Sequence, residues 1–414
     1  MKHSLTSLAL SAVVLAVAGC STPSPSSNLG PTAVLGGDVA KWSNAWSEVD
    51  AVAFEQNIAQ LKAQIGSGPQ ICATMKGDAY RHGLGLLMPS IIKMGIPCVG
   101  VASNEEGLLV RRSGFKGRLL RLRAASIPEM IEGIPFDFEE LIGNVDVARE
   151  LALEAGRRNA TVRIHLAINA GQMDRNGVEM RTDRGRQQAV DILKMPGLRP
   201  VGIMTHYALE DREKVRAQSR EFAQDAEWLV RVAGLQREAI TLHTANSYAT
   251  MEVPESHFDM VRPGRILYGY SSYPQFAKLL TFKSRVATVN EYMANTGVTY
   301  NHTYVLRRDS RLANIPVGYA DSHRKVYTGG DVLIRGHRAP IVGAITMNTL
   351  MADVTDFPDI RANDEVVLYG AQGGETIQGD ELQKYTKESM VEMTTRWSVN
   401  PRKLISNQVA QPRP

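Results

Sequence analysis

Cysteine is scarce in this chain of 414 residues: there are three, Cys20, Cys72 and Cys98. Three thiols cannot build a disulfide-framed miniature fold, and at this length none is needed, since two domains can each bury a core. Charge of one sign is also lacking. The net charge is +4, and no basic run stands out, so nothing suggests a nucleic-acid partner. No internal repeat of fixed period occurs, and no metal site is read from the sequence. Long apolar runs are missing too. The longest, Leu5 to Ala18, is too short to span a bilayer comfortably.

That run has a function of its own. Lys2 and His3 precede it and Val17-Ala18-Gly19-Cys20 follows, the small-residue pattern of an export signal. The segment is similar to a bacterial lipobox, which implies that Cys20 is the lipidated first residue of the mature protein. An ordinary cleaved signal that contains a cysteine is the alternative. Residues 1–20 then form the signal, and 21–39, rich in Ser and Pro, a flexible tether. Ser21 in place of aspartate points by analogy to the outer membrane. Export leaves Cys72 and Cys98 in an oxidising compartment, where a pair tends to be bridged. Both lie in apolar runs that read as successive strands. Neighbouring strands are about 4.8 Å apart, which suits the roughly 4.4–6.8 Å Cα separation of a disulfide.

Apolar content of 43% and charged content of 22% are ordinary for a globular protein. Ala40 to Ala63 has helical spacing, with Trp42, Trp46, Val49, Val52 and Phe54 among its apolar residues. Strand-like and helix-like segments then alternate with short connections as far as Tyr268. This predicts an α/β fold, a TIM-like (β/α)8 barrel over residues 40–275. Near Phe276 the rhythm breaks. Short apolar runs between turn signals predict a β-rich domain over 276–414, with helical pattern scarce until Lys384 to Trp397.

One stretch carries the chemistry. Ile71 to Met75 reads as a buried strand, and Lys76 ends it. A lysine at the C-terminal end of a barrel strand points into the mouth where such barrels work, and there it can lose its proton and act as a nucleophile. The residues from Lys76 to Gly83, read as Lys-Gly-Asp-Ala-Tyr-Arg-His-Gly, resemble the pyridoxal-phosphate lysine motif of the alanine racemase family. Arg81 stands where that family usually has glycine. A second match is Asp259-Met260-Val261-Arg262-Pro263-Gly264, followed by Tyr268-Gly269. By this resemblance Lys76 carries pyridoxal 5'-phosphate covalently and Tyr80 lies beside the phosphate. Gly264 and Arg265 present amides to that phosphate, with Asn246, Ser247 and Tyr268 in the same cofactor site. Asn246 and Ser247 would serve as well as a helix N-cap. Arg262 would face the pyridine nitrogen, with His206 as its buttress. An arginine stays protonated, so the nitrogen opposite must accept a hydrogen bond. The ring is then a weaker electron sink, and two flanking bases do more of the work.

Tyr300, in Thr299-Tyr300-Asn301-His302, matches the family's second catalytic residue, which comes from the partner subunit. The resemblance therefore implies a homodimer with shared active sites. Gly318-Tyr319-Ala320-Asp321 matches a hallmark of the second domain, and Gly343 to Asn348 places the amide of Met347 on the substrate carboxylate, with Arg175. Ala167 occupies the place of a lysine common in alanine racemases, and Asn348 that of an aspartate. These changes, the pair Arg175-Asn176, the export signal and the two cysteines are similar to the periplasmic broad-spectrum amino-acid racemases. The resemblance implies free amino acids as substrates, a periplasmic location and membrane attachment only through a lipid at Cys20. The alternatives are an alanine-selective racemase and a lipoprotein that holds the cofactor without catalysing. A decarboxylase would favour an acidic partner for the ring nitrogen over Arg262.

Overall fold

The computed structural model describes residues 38–405, except 172, 174 and 271. The expected export signal, Cys20 and nearly all of the tether lie outside the described residues.

The first described strand, β1 (Ala45–Asp50), belongs to the second domain's sheet. The barrel follows: β2 (Gln70–Thr74), β3 (Cys98–Val101), β4 (Arg118–Arg121), β5 (Phe138–Ile142), β6 (Val162–Asn169), the short β7 (Val178–Glu179), β8 (Leu198–Met204), β9 (Thr241–His243) and β10 (Met260–Val261). Their order is β10-β2-β3-β4-β5-β6-β8-β9, all parallel, with β7 beside β6. Next to β10, Asp259 N–H donates to Leu242 O and Arg262 N–H to Ala245 O, at 3.0 and 2.8 Å, which nearly closes the ring. Helices between the strands cover the outside, as the alternating pattern predicts.

Side-chain alternation along β2 sorts two cores. Ile71, Ala73 and Met75 join the large cluster beneath the helices, which includes Phe54, Leu87 and Ile91. Each such fully buried side chain contributes about 1.5–3 kcal/mol. Cys72 points the other way, into a small cluster with Cys98, Leu120 and Met260. Cys72 and Cys98 are register partners on β2 and β3 and form a disulfide.

Residues 40–63, expected as one helix, divide instead. A short 3-10 turn (Val39–Lys41) and β1 precede the helix Ala51–Ile65. Asp50 starts that helix, its carboxylate accepting from Ala53 N–H at 2.9 Å. Trp46 and Val49, which mimic helical spacing, sit in β1, which runs antiparallel to β11 (Leu280–Arg285) and parallel to the last described strand, Arg402–Ile405. The first and last strands of the described residues thus lie side by side in one sheet.

That sheet is built from β11, β12 (Thr288–Tyr292), β15 (Ser310–Ile315), β16 (Asp331–Ile334), β17 (His337–Val342), β18 (Leu350–Asp353), β19 (Glu365–Gln372) and β21 (Arg402–Ile405). Two small strands, β13 (Gly297–Val298) and β14 (Tyr304–Val305), pair separately, and β20 (Glu375–Ile377) pairs with β19. The sheet order is β12-β15-β18-β17-β16-β19-β11-β1-β21. Helices Gly379–Thr386 and Met390–Trp397 divide the stretch expected as one helical segment. No described helix is long and apolar enough to cross a membrane.

Candidate active site

Lys76 leaves β2 at the barrel mouth. Its strand is held on both sides: Thr74 N–H donates to Pro263 O at 2.9 Å and Met75 N–H to Gly100 O at 2.7 Å. The next five residues, Gly77 to Arg81, all have positive φ, between 52° and 67°. This is a left-handed helical turn, which costs a non-glycine residue about 1–2 kcal/mol. Arg81, at φ 67°, therefore occupies a place where the glycine usual in the resembling family would be unstrained. The surroundings hold the turn. Asp78 N–H donates to Glu106 Oε1 at 2.7 Å, and Leu84 N–H donates to Asp78 Oδ1 at 2.7 Å. His82 is fully buried, and burial pushes its pKa down to about 4. Being neutral, it donates from Nδ1 to the carbonyls of Ala79 and Tyr80, and its Nε2 accepts from the Tyr270 hydroxyl at 3.2 Å.

Lys76 and Tyr80 line a cavity of 1340 Å³ with Ser247, Arg262, Gly264, Arg265, His206, Arg175 and Asn176. At one end, Ser247, Gly264 and Tyr80 converge. Gly264 N–H donates to Ser247 Oγ at 2.9 Å, and a Cβ on Gly264 would lie 2.4 Å from the Tyr80 hydroxyl oxygen, so no side chain fits there. Asn246 also lines the cavity, yet its amide is spent locally. Oδ1 caps the helix Ser247–Glu252 through Ala249 N–H, and Nδ2 donates to Tyr207 O. The helix-cap alternative holds for that side chain. Arg265 pairs its guanidinium with Glu210, which also lines the cavity. Tyr268 does not face the cavity: it is buried behind the wall, stacks on Tyr80, His82 and Phe54, and donates to Thr74 O at 3.0 Å. As a direct cofactor ligand Tyr268 is thus corrected; it supports Tyr80 and the lysine strand.

Arg262 is buried, and burial lowers its pKa to about 10, so it remains a cation at neutral pH. The sequence pairs it with His206, but its hydrogen-bonded partner is His243, with Nη1 2.7 Å from His243 Nδ1. Nη2 donates to the carbonyls of Thr205 and Thr244. Behind His243 runs a chain absent from the sequence reading. His243 Nε2 is 2.7 Å from His165 Nδ1, His165 Nε2 is 2.7 Å from Glu139 Oε2, and Arg118 binds the same carboxylate at 2.8 Å. Burial lowers the pKa of both histidines. Arg262 can only donate, so each neutral histidine accepts on Nδ1 and donates from Nε2, toward Glu139. Burial alone would raise the Glu139 pKa; hydrogen bonds from His165 and Arg118 outweigh it and set the value at about 2. A buried cation facing the cavity is therefore linked, through two neutral histidines, to a buried carboxylate that also pairs with Arg118. His206 lines the cavity itself, held neutral with a pKa of about 3 by burial and by Arg262, Arg175 and Lys76.

On the other side of the cavity stand Arg175, Asn176, Leu122, Arg123, Leu141 and Met204. Ala167 is buried against Leu141 and Met204, so the wall here is apolar. Tyr300 and Met347 are elsewhere. In the described chain both are on the second domain, 72% and 55% exposed, and are not among the cavity's lining residues. They share a neighbourhood. Gly343 packs against Val298 and Thr299, and Ala320 N–H donates to Met347 O at 2.9 Å, which places Tyr300, Tyr319 and Met347 on one exposed patch. No group of three or more potential metal-ligating side chains is found among the described residues.

Comparison with known proteins matches this architecture. Residues 49–272 match the family described as the alanine racemase N-terminal domain, and 279–404 the alanine racemase C-terminal domain. A broad specificity amino-acid racemase of Pseudomonas taetrolens is 50% identical over 369 residues, covering 88% of this chain and 90% of that protein. A lysine racemase of Proteus mirabilis is 41% identical, with 88% and 90% covered. Among solved structures, alanine racemase from Bacillus anthracis with bound L-Ala-P is 27% identical, with a TM-score of 0.80 over 88% of this chain and 96% of that one. The Bartonella henselae enzyme, described with covalently bound pyridoxal phosphate, shares the fold at 22% identity and a TM-score of 0.75, over 88% of this chain and all of that one. The two family domains in sequence, the barrel with its lysine and the β-domain behind it place this chain in the alanine racemase family.

Proposed function

We propose that the protein is a pyridoxal-phosphate-dependent racemase acting on several amino acids, and that it works as a homodimer in the cell envelope. The observation that carries this reading is the joint placement of Lys76, Tyr80, Ser247, Gly264 and Arg262 around one cavity. A pyridoxal site needs an amine, a cradle of donors for phosphate and a partner for the ring nitrogen. Lys76 is the amine. The narrow end beside Gly264, where no side chain fits, offers hydroxyls of Ser247 and Tyr80, and Arg262 is the fixed donor. The residues fit the cofactor.

When bound, pyridoxal phosphate supplies an electron-withdrawing ring that acidifies the proton on the amino acid's α-carbon. The protein does the rest. Lys76 Nζ takes or returns that proton on one face. Tyr300 of a second copy serves the other face, a reading supported by its exposed place on the second domain, away from its own chain's cavity lining. Arg175, together with the Met347 amide of the second copy, holds the carboxylate. Arg262, held by His243 and linked through His165 to Glu139, would hold the ring nitrogen of a bound cofactor and, being able only to donate, would favour its unprotonated form. His206, neutral, adds no further positive charge beside Lys76.

Breadth of substrate rests on the wall of Ala167, Leu141 and Met204, where the resemblance would place a lysine in an alanine-selective enzyme. Removing a long polar side chain enlarges what a pocket accepts. The relatives named as broad specificity racemases support the same reading. The export-signal pattern of residues 1–20, with Cys20 in lipobox order, supports a periplasmic enzyme held to the outer membrane by a lipid at Cys20. The test is a racemisation assay over a panel of L-amino acids, with and without added cofactor. Activity on long and basic side chains is expected. Activity confined to alanine would replace this reading with the alanine-selective one, and no activity on any would overturn it.

A further inference from the structure

The turn that carries Lys76 and Tyr80 is tied to the far end of the chain. Arg402 opens β21, the last strand of the second domain, opposite Ser47 of β1. Its Nη1 lies 2.6 Å from Asp78 Oδ2 and donates to Arg81 O at 3.0 Å. One guanidinium nitrogen thus straddles the left-handed turn, taking a side chain near its start and a carbonyl at its end. Only 10% of the Arg402 side chain is exposed. Asp78 is shared: its second oxygen accepts from Leu84 N–H, and its own N–H is fixed by Glu106. The turn is therefore gripped from the barrel by Glu106 and from the second domain by Arg402.

We propose that Arg402 is a positioning residue for the racemase reaction. It latches the turn Gly77–Arg81 in its left-handed form, so that the amine of Lys76 before it and the hydroxyl of Tyr80 within it face the cavity together. The inference rests on the proposed activity for its catalytic consequence and on geometry for the latch. It gives the second domain two duties. Its exposed patch presents Tyr300 outward, and its last strand sets the lysine of its own chain. A left-handed turn of non-glycine residues relaxes unless its surroundings determine it, and a small displacement of a reacting group costs up to about 10²-fold in rate. The plain alternative is an ion pair that fastens β21 to the barrel. Lys403, the next residue, makes such a pair with Asp38 at 3.0 Å, away from the turn, and serves as the control.

The experiment compares full-length wild type, Arg402→Ala, Arg402→Lys and Lys403→Ala. Hydrogen exchange of the amides from Gly77 to Leu84 is read on protein stripped of cofactor, and kcat and KM on protein reloaded with it. Arg402→Ala should speed exchange in the turn and lower kcat by about tenfold or more, with KM for the amino acid nearly unchanged. Arg402→Lys keeps the charge but not the straddling geometry, and should fall between. Lys403→Ala should match wild type. Unchanged turn exchange and unchanged kcat in Arg402→Ala would overturn the latch, as would Lys403→Ala giving the same losses. A wild type that racemises nothing, in which Arg402→Ala still loosens the turn, would support the latch while sinking the racemase reading.

Discussion

Replacing Glu139 by Gln tests the buried charge chain behind Arg262. The carboxylate holds Arg118 through contacts of 2.8–3.1 Å and His165 at 2.7 Å. With an amide there, Arg118 is left without its anion and the chain from Arg262 loses its charged end. The pKa route gives one magnitude. Glu139 moves from an ordinary 4.5 to about 2 on folding, and at 1.36 kcal/mol per unit this is worth about 3 kcal/mol. Breaking a buried ion pair by deleting one partner gives about 3–5 kcal/mol. The two routes agree. Because the folded value is depressed, the stabilisation is fully present above pH 4.5 and is lost as pH falls from there through about 2. Urea unfolding of wild type and Glu139→Gln at several pH values between 3 and 7 reads this directly. The variant should be less stable by about 3 kcal/mol at pH 7, with the gap level down to about pH 4.5 and narrowing from there toward pH 3. A gap below about 1 kcal/mol at pH 7, or one that stays constant with pH, would refute the assignment of Glu139 as the buried counter-charge.

Two further predictions concern the cysteines. Reducing the Cys72–Cys98 disulfide should lower stability by about 2–4 kcal/mol, and Cys72→Ala/Cys98→Ala should lose a similar amount in a denaturant titration; no loss in either would show that the inner cluster packs as well without the link. Cys20→Ala should abolish labelling by a radioactive fatty acid in cells and release the protein in soluble form. Unchanged labelling would place the lipid elsewhere.

The sequence reading and the structure part company where contacts are long-range. The barrel was legible because each strand and helix announces itself locally, and Lys76, Ser247, Arg262 and Gly264 were legible because they sit in contiguous motifs. The strand Ala45–Asp50 was hidden because Trp46 and Val49, with Trp42 before it and Val52 after it, fall at intervals that suit a helix; the Asp50 cap was the signal that would have divided it. The Glu139–His165–His243 chain was invisible because each residue is a lone polar side chain in a different strand. In Phe138-Glu139-Glu140-Leu141-Ile142, period-two alternation does send one carboxylate inward to His165 and the other to Arg121. Two acids in a buried strand were a usable sign of inward pairing. Arg402 lies more than 300 residues from the turn it grips, and no local pattern links them.

The two-copy active site can be tested through complementation. Tyr300→Phe keeps the ring and the fold but removes the hydroxyl, and because Tyr300 is exposed its loss leaves the chain's own packing intact. Racemisation should fall by about 10²–10⁴-fold, the contribution of a positioned acid–base group, while binding of the cofactor at Lys76 changes little. Lys76→Ala should lose both the cofactor's visible absorbance and activity. Neither variant alone then racemises. If Tyr300 of one copy completes the cavity of the other, co-expressed Lys76→Ala and Tyr300→Phe chains form mixed dimers in which one site holds both residues and the other holds neither. Such dimers should recover up to about half of the wild-type rate per dimer, since one of two sites is whole. The α-proton should exchange with solvent deuterium in Tyr300→Phe from the enantiomer that Lys76 serves and far more slowly from the other. Full activity in Tyr300→Phe would end the two-base reading. Verified mixed dimers without recovery would place both groups within one chain, and the exposed patch of Tyr300, Tyr319 and Met347 would then need a closure of the second domain over its own barrel.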